Sequence, residues 1–196
     1  MTAGAGTAVI LAAGASRRLG QPKQVLPYRY STVLGVTLDA VRRCGFDQVI
    51  VTLGGAADVV RDRVDLTGID VVVAGDSSSG CSASLRTALA VVDSPAAGIT
   101  LLLGDQPDAS PATVEGLLRE RGGAPIAVCN YTDGIGHPFW LSRSMFGELA
   151  ALHGDKGVWK LVESGRFEVD LVDIDGPVPL DVDTWDDYQR LLAAHS

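Results

Sequence analysis

The amino-acid sequence predicts an α/β fold in one domain, with a doubly wound and mostly parallel central sheet. Short apolar runs rich in valine and isoleucine alternate with longer segments of helical period. Two of these runs, at 49–51 and 99–103, are continuously apolar, which is typical of strands that helices cover on both faces. A chain of 196 residues, 46% of them hydrophobic, is long enough to bury one substantial core. We therefore expect a single domain over 1–196.

The elements predicted up to residue 129 follow this alternation in order. Apolar runs bounded by glycine or polar residues indicate strands, and longer runs with apolar residues every three or four positions indicate helices. We predict strands at 7–11, 48–53, 69–73, 99–103 and 126–129, and helices at 33–44, 57–64, 84–92 and 111–121.

The pattern changes after residue 129, where a glycine-rich stretch interrupts the alternation. We interpret about 130–166 as an inserted region that covers one end of the sheet. Asp183 is a good N-cap for the last helix, because its carboxylate can accept from free backbone N–H groups. The elements predicted here are strands at 139–141 and 168–172 and helices at 144–152, 156–164 and 184–194.

Charge and composition exclude several classes of protein. The formal net charge of −8 argues against non-specific binding of nucleic acid, which depends on lysine and arginine. The first apolar run, at 8–13, is too short for a signal segment or a membrane span, so we expect a cytoplasmic protein without membrane contact. Cys44, Cys81 and Cys129 are widely separated, which predicts reduced thiols and neither disulfides nor a zinc site.

The segment after the first strand has the composition of a polyphosphate-binding loop. Glycines let backbone N–H groups approach phosphate oxygens, and cations add charge-assisted contacts. The loop does not fit a Walker pattern or a GxGxxG dinucleotide pattern, and a glycine-rich turn with solvated arginines is the alternative. The candidate residues are Leu11, Ala12, Ala13, Gly14, Ala15, Ser16, Arg17, Arg18 and Lys23.

This loop resembles the LAAGxSxRMGxxK signature of the MobA-like NTP transferases, with Leu19 in place of the methionine. The pair Ala12-Ala13 is similar to the molybdenum cofactor cytidylyltransferase branch, whereas the guanylyltransferase branch usually has glycine at the position of Ala13. The resemblance implies a Rossmann-like nucleotidyltransferase fold and CTP as the nucleotide. It also implies that the loop wraps the triphosphate, with Arg18 and Lys23 as catalytic contacts to the phosphates.

A serine-rich segment before the third helix is a second candidate nucleotide contact. It could hold a base, a ribose or a phosphate, although such segments are often only caps and turns. Residues 80–85 are similar to the GxSSSL element of the family, which implies nucleotide contacts from Gly80, Ser82 and Ser84. Ala83 replaces the middle serine of that element, and Ser77 replaces a frequent aromatic residue.

Two aspartates are candidate ligands for Mg²⁺, which prefers carboxylate and phosphate oxygens. Asp105 directly follows the strand at 99–103, at the sheet edge where ligands bind in open α/β folds. Taken alone it fits a Gly-Asp-x-Pro turn equally well, but the metal aspartate of the family has this same context. Asp183 lies in a segment similar to the DIDTPEDL element of the family, so it is a second candidate ligand or only a helix cap.

His137 and Lys156 are candidates for binding the acceptor. They lie in stretches that look like the GHP and GDxG elements of the family, within the inserted region. His137 could contact the acceptor or simply brace its turn, and Lys156 could meet the acceptor phosphate or be solvated.

The sequence thus favours a Mg²⁺-dependent nucleotidyltransferase that moves CMP from CTP to the phosphate of molybdenum-molybdopterin and releases pyrophosphate. No protein nucleophile or general base is needed, because a phosphate acceptor is already anionic. The product could then pass to a molybdenum hydroxylase. Two alternatives stay open: a related transferase acting on a sugar phosphate or another phosphate acceptor, and a non-catalytic nucleotide-binding chaperone.

Overall fold

The computed structural model describes residues 6–75, 81–154 and 156–194. Within them the strands are β1 (Thr7–Ala12), β2 (Pro27–Tyr28), β3 (Ser31–Thr32), β4 (Gln48–Leu53), β5 (Asp70–Val73), β6 (Gly98–Leu103), β7 (Ile126–Tyr131), β8 (Gly134–Ser142) and β9 (Val169–Asp173). The helices are α1 (Val33–Arg42), α2 (Ala57–Arg63), α3 (Cys81–Leu89), α4 (Pro111–Glu120), α5 (Phe146–Ala150), α6 (Gly157–Glu163) and α7 (Trp185–Ala193).

The central sheet has the strand order β5-β4-β1-β6-β8-β7-β9, and β2 and β3 form a separate hairpin. β1 pairs in parallel with both β4 and β6, and the β4–β5 and β7–β9 pairs are also parallel. Within the central sheet, as far as residues 6–75, 81–154 and 156–194 show it, only β8 runs antiparallel to its neighbours. The predicted doubly wound, mostly parallel sheet is confirmed.

The interpretation of 130–166 as a cover over one end of the sheet is wrong for its first part. β8 is nine residues long and lies inside the sheet, between β6 and β7. The run at 139–141 predicted only the core of this strand. Gly134 and Gly136 suggested a loop, but both pair with β7, opposite Tyr131 and Cys129, and so extend the strand toward its start.

Each face of the sheet is covered by helices, which explains the continuously apolar strands. In β1, Ala8 and Ile10 pack in one buried cluster with α1 and α2, whereas Val9 and Leu11 pack in another with α3. Successive side chains of a strand point to opposite faces, so a strand between two helical layers needs apolar residues at every position.

The closing helix α7 packs against the β2–β3 hairpin and α1. Tyr188 and Leu191 are buried there with Tyr28 and Val36, and the Tyr188 hydroxyl donates to the carbonyl of Pro27 at 2.5 Å. This packing carries the residues just before α7 back to the first third of the chain. Asp183 therefore lies beside the loop that follows β1.

The prediction of Asp183 as the N-cap of this helix is wrong by one residue. Thr184 is the cap: its hydroxyl accepts from the N–H of Asp187 at 3.2 Å, and the Asp187 carboxylate accepts from the N–H of Thr184 at 2.8 Å. Thr184 and Asp187 thus make both hydrogen bonds of a capping box, and the Asp183 side chain makes neither. The Asp183 carboxylate is left to interact elsewhere.

We expect Thr184→Ala to lower the free energy of unfolding by about 1 kcal/mol, the usual contribution of a threonine N-cap. Urea denaturation measures the change. Thr87→Ala is the matched control, because the Thr87 hydroxyl donates to the Ala83 carbonyl inside α3 and caps nothing. Its effect should stay within about 0.5 kcal/mol. Equal effects of the two substitutions would contradict the capping role.

No helix in the described ranges is long and apolar enough to cross a lipid bilayer. Across the same residues Cys44, Cys81 and Cys129 form no disulfide bonds.

Candidate functional site

A cavity of about 420 Å³ opens at the carboxyl ends of β1 and β6. These two strands lie where the chain order of the sheet changes direction, since β4 and β5 extend from one side of β1 and β6 from the other. Such points are the usual ligand sites of open α/β sheets. The cavity is lined by Leu11, Ala12, Ala13, Gly14, Ala15, Lys23, Gln24, Cys81, Ser84, Leu103, Gly104, Asp105 and Asp183.

The loop after β1 is folded back on itself by Ser16. The Ser16 hydroxyl accepts from the N–H of Lys23 at 3.0 Å, and the Ser16 carbonyl accepts from the N–H groups of Leu19 and Gly20. Six of the predicted phosphate-loop residues, those at 11–15 and Lys23, line the cavity directly. Ser16 instead fixes the position of Lys23, and Arg17 is exposed away from the lining.

Gln24 is bonded to this loop through its side chain, a contact that the sequence does not predict. Its buried side-chain amide donates to the carbonyls of Ala12 at 2.7 Å and Gly14 at 3.1 Å. These bonds occupy the two carbonyls and fix the backbone of the loop where it lines the cavity. A glutamine next to a lysine and two apolar residues carries no recognisable signal in a single sequence.

Three charged side chains meet on one side of the cavity. The Lys23 ammonium donates to the carboxylate of Asp105 and, at 2.8 Å, to that of Asp183. Arg18 donates to the other oxygen of Asp183 at 2.7 Å. The side chains of Lys23 and Asp105 are only 10% and 19% exposed, so water screens their attraction weakly. Arg18 is 66% exposed and reaches the cluster only through Asp183.

The pKa values follow from this arrangement. Burial lowers the pKa of Lys23, but the carboxylates of Asp105 and Asp183 outweigh it, and the net pKa is raised above the ordinary value. The hydrogen bond from Lys23 lowers the pKa of Asp183, against the opposing effect of burial. Lys23 and Asp183 are therefore both charged at neutral pH.

The backbone places Asp105 against the phosphate loop. The N–H of Gly104 donates to the Leu11 carbonyl at 2.9 Å, and the N–H of Val182 donates to the Asp105 carbonyl at 3.1 Å. A Cβ atom at Gly104 would lie 2.8 Å from the Cβ of Ala12, so no side chain fits there. Asp105 is thus fixed between β1 and the segment that carries Asp183.

The donor set fits a divalent cation. Oxygens of Asp105 and Asp183 already converge on one cationic atom, the Lys23 nitrogen, so the two carboxylates face a common point. Mg²⁺ and similar ions bind through one or two carboxylates, with substrate phosphates and water completing the shell. No cluster of three or more His, Cys, Asp or Glu side chains that could hold a metal ion occurs in residues 6–75, 81–154 and 156–194.

The serine-rich segment divides into residues with different positions. Ser84 lines the cavity, as a nucleotide contact requires. Ser82 is buried instead, and its hydroxyl donates to the Gly154 carbonyl, which ties α3 to the loop before α6. Gly80 and Ser77 lie outside the residues that the structure describes.

His137 is buried among aromatic side chains. It is 5% exposed, its ring stacks on Phe139 with centroids 4.2 Å apart, and Trp159 meets it edge-on at 6.0 Å. Burial lowers the pKa of His137 to about 3, so the ring is neutral and brings no charge to a phosphate. With Trp159 it lines a smaller, mostly apolar cavity of about 90 Å³, which adjoins the larger one through Leu11, Cys81 and Leu103. Lys156 is exposed and lines neither cavity.

The buried His137 predicts a pH dependence of stability. Between pH 6.5 and about 3 the unfolded chain binds a proton on this histidine and the folded chain does not. The free energy of unfolding is therefore highest above pH 6.5. It decreases as the pH falls, by about 2 kcal/mol between pH 7 and pH 5. Urea denaturation at both pH values should show this loss in the wild type and a smaller loss in His137→Phe. His153→Gln, at an exposed histidine, should keep the wild-type loss. The same loss in all three proteins would contradict the assignment.

Comparison with known proteins identifies the family. Residues 8–169 match the MobA-like NTP transferase domain. Nicotine blue oxidoreductase of Paenarthrobacter nicotinovorans is 33% identical over 196 residues, which cover 95% of this chain and 96% of that protein. The structure of Rv0371c from Mycobacterium tuberculosis H37Rv in complex with manganese has a TM-score of 0.88 and 58% identity, covering 96% of this chain and 98% of that one.

A nucleotidyl transferase from Methanothermobacter thermautotroptrophicus has a TM-score of 0.76 and 26% identity, with 96% of both chains covered. The domain match spans most of the chain and includes the phosphate loop, Asp105 and the strands that position them. This protein belongs to the MobA-like NTP transferase family.

Proposed function

We propose that this nucleotidyltransferase moves CMP from CTP to the phosphate of molybdenum-molybdopterin and releases pyrophosphate. The observation that carries the proposal is the convergence of Lys23, Asp105 and Asp183 on one side of a cavity lined by the loop after β1. A loop of small residues, a buried lysine and two carboxylates are the groups that a nucleoside triphosphate and its metal ion require.

In the proposed reaction, an oxygen of the acceptor phosphate forms a bond to the α-phosphorus of CTP. The bond from that phosphorus to the oxygen bridging the α- and β-phosphates breaks, and both bonding electrons leave with pyrophosphate. The acceptor is already anionic, so no side chain has to remove a proton. The site therefore acts by holding the two phosphates in line and by stabilising charge on the leaving group.

Lys23 is proposed to neutralise the β- and γ-phosphates, with Arg18 assisting from the rim. The Nζ atom of Lys23 lies 4.0 Å from the position that a Cβ atom on Gly14 would occupy, so this nitrogen borders the phosphate loop. Asp105 and Asp183 would hold the divalent ion, for which we propose Mg²⁺, and that ion would offset the charge of the triphosphate. The manganese complex of Rv0371c supports a divalent ion in this fold.

CTP is proposed from the Ala12-Ala13 pair, since both alanines lie in the cavity lining. Ser84, also in the lining, is a proposed nucleotide contact. The acceptor is proposed to approach from the side of β8 and α6, where the smaller cavity joins the larger one. Lys156 is a candidate for attracting the acceptor from solvent. His137 is proposed to support the lining of the smaller cavity.

A redox function is the second candidate, because a relative that matches 95% of this chain is named nicotine blue oxidoreductase. The loop after β1 lacks the GxGxxG pattern of dinucleotide-binding proteins and carries three cations instead. This composition favours a triphosphate over a dinucleotide cofactor.

The test is release of pyrophosphate in the presence of Mg²⁺ with each of CTP, GTP, ATP and UTP. Molybdopterin, its molybdenum form and a panel of sugar phosphates serve as acceptors. Release with CTP and molybdenum-molybdopterin alone supports the proposal. Release only with another pair overturns the proposed substrates, and nucleotide binding without any release overturns catalysis.

Oxidation of NADH or NADPH with nicotine blue, without pyrophosphate release, would establish the redox alternative. Transfer of the product to a molybdenum hydroxylase can be tested once the product is known.

A further inference from the structure

The Lys23 ammonium holds the position between the two candidate metal ligands. It donates to both Asp105 and Asp183, and its side chain is only 10% exposed. The backbone behind it is fixed by the Ser16 hydroxyl, which accepts from the Lys23 N–H at 3.0 Å. The lysine is therefore an internal counter-ion for the carboxylate pair.

A divalent ion and this ammonium compete for the same oxygens. The ammonium and the metal ion carry like charges and would repel each other strongly at this distance, because Lys23 and Asp105 are largely shielded from water. Arg18 is a weaker competitor, because it contacts only Asp183 and is largely exposed, where pairing energies are small. Entry of the metal ion thus requires that Lys23 move away from the pair.

The Lys23 side chain also lies close to the loop after β1, which provides a second possible position for its ammonium group. A Cβ atom on Gly14 would lie 3.6 Å from Cε of Lys23 and 4.0 Å from its nitrogen. The end of the lysine side chain therefore borders both the carboxylates and the phosphate loop. A rotation about the terminal bonds of this side chain would bring the ammonium to the loop without a shift of the backbone.

We infer that Lys23 competes with the divalent metal ion for Asp105 and Asp183, and that the triphosphate opens this pair to the metal by drawing Lys23 onto its phosphates. Metal binding and nucleotide binding are then coupled with positive sign, as linkage requires. The metal enters with the nucleotide and binds the nucleotide-free protein weakly. The role of the triphosphate in this inference rests on the proposed function, but the competition between Lys23 and the metal does not.

The experiment measures Mn²⁺ affinity of the nucleotide-free protein by electron paramagnetic resonance of the unbound ion. Wild type is compared with Lys23→Met and with Lys23→Gln, which keeps a polar group but no charge. Lys160→Met is the matched control, because Lys160 is an exposed lysine of α6. Asp105→Asn is measured alone and in combination with Lys23→Met. These two proteins show whether Mn²⁺ binds at the carboxylate pair. Near-UV circular dichroism confirms that each variant is folded.

We expect both Lys23 variants to bind Mn²⁺ at least about 10-fold more tightly than wild type, a coupling of the usual size for adjacent sites. Lys160→Met should match wild type, and Asp105→Asn should remove the gain. Equal or weaker affinity in the folded Lys23 variants would overturn the inference, as would a gain that survives Asp105→Asn. The measurement uses neither CTP nor an acceptor, so failure to release pyrophosphate leaves its outcome unaffected.

Discussion

Lys23→Met is expected to lower the turnover of pyrophosphate release by at least about 100-fold, the usual effect of removing a group that stabilises transition-state charge. The loss should fall mainly on kcat, because charge on the leaving pyrophosphate grows as the α–β bond breaks. The variant also loses two hydrogen bonds to carboxylates, so its free energy of unfolding should fall by about 1.5–3 kcal/mol. Steady-state kinetics and urea denaturation measure the two effects.

Lys160→Met is the control for Lys23→Met, as in the metal titration, and should keep wild-type kcat and KM. A Lys23→Met protein that is folded and retains near-wild-type kcat would remove Lys23 from the mechanism. Because the same variant is expected to bind Mn²⁺ more tightly, its loss of turnover cannot be ascribed to loss of the metal.

Asp105→Asn should also lower turnover by at least about 100-fold, for a different reason. Asparagine keeps the shape of the side chain but loses the charge that a divalent ion requires. Raising the metal concentration should therefore recover part of the activity of Asp105→Asn and none of that of Lys23→Met. Pyrophosphate release across a Mg²⁺ titration separates the two variants.

Asp62→Asn is the matched control for Asp105→Asn, because Asp62 is an exposed aspartate of α2 far along the chain from either carboxylate. It should show the wild-type response to Mg²⁺. An Asp105→Asn protein with wild-type turnover and wild-type metal dependence would exclude Asp105 as a ligand.

The sheet was largely predictable because each strand is short, apolar and bounded by polar or glycine residues. The strand at 48–53 was predicted with the bounds that the structure has, and β1 and β6 within one residue at each end. β8 was mostly missed, since only three of its nine residues are apolar in an unbroken run. Its extended conformation depends on two neighbouring strands that the local sequence does not reveal.

The candidate site was predictable in its parts and not in its geometry. The loop after β1 and Asp105 could be placed at the same sheet edge, because both follow parallel strands. The contact of Lys23 with Asp183, 160 positions apart, depends on the packing of α7 against the β2–β3 hairpin. The cap was placed one residue early because Asp183 and Thr184 are both suitable N-caps.

Ser82 and His137 show that a motif alone does not establish that a side chain reaches the cavity. Both occur in stretches similar to elements of the family, yet both side chains are buried and bind neighbouring protein groups. Burial depends on the packing of α3, β8 and α6, which sequence similarity does not specify.

The most direct test of the proposed reaction follows each phosphorus of CTP. CTP labelled with ³²P at the α-position, and separately at the γ-position, is incubated with the protein, Mg²⁺ and molybdenum-molybdopterin, and the products are separated by chromatography. Nucleotidyl transfer predicts the α-label in the pterin product and the γ-label in pyrophosphate. The γ-label on the pterin, or both labels remaining in CTP, would contradict the assignment of this chain as a cytidylyltransferase.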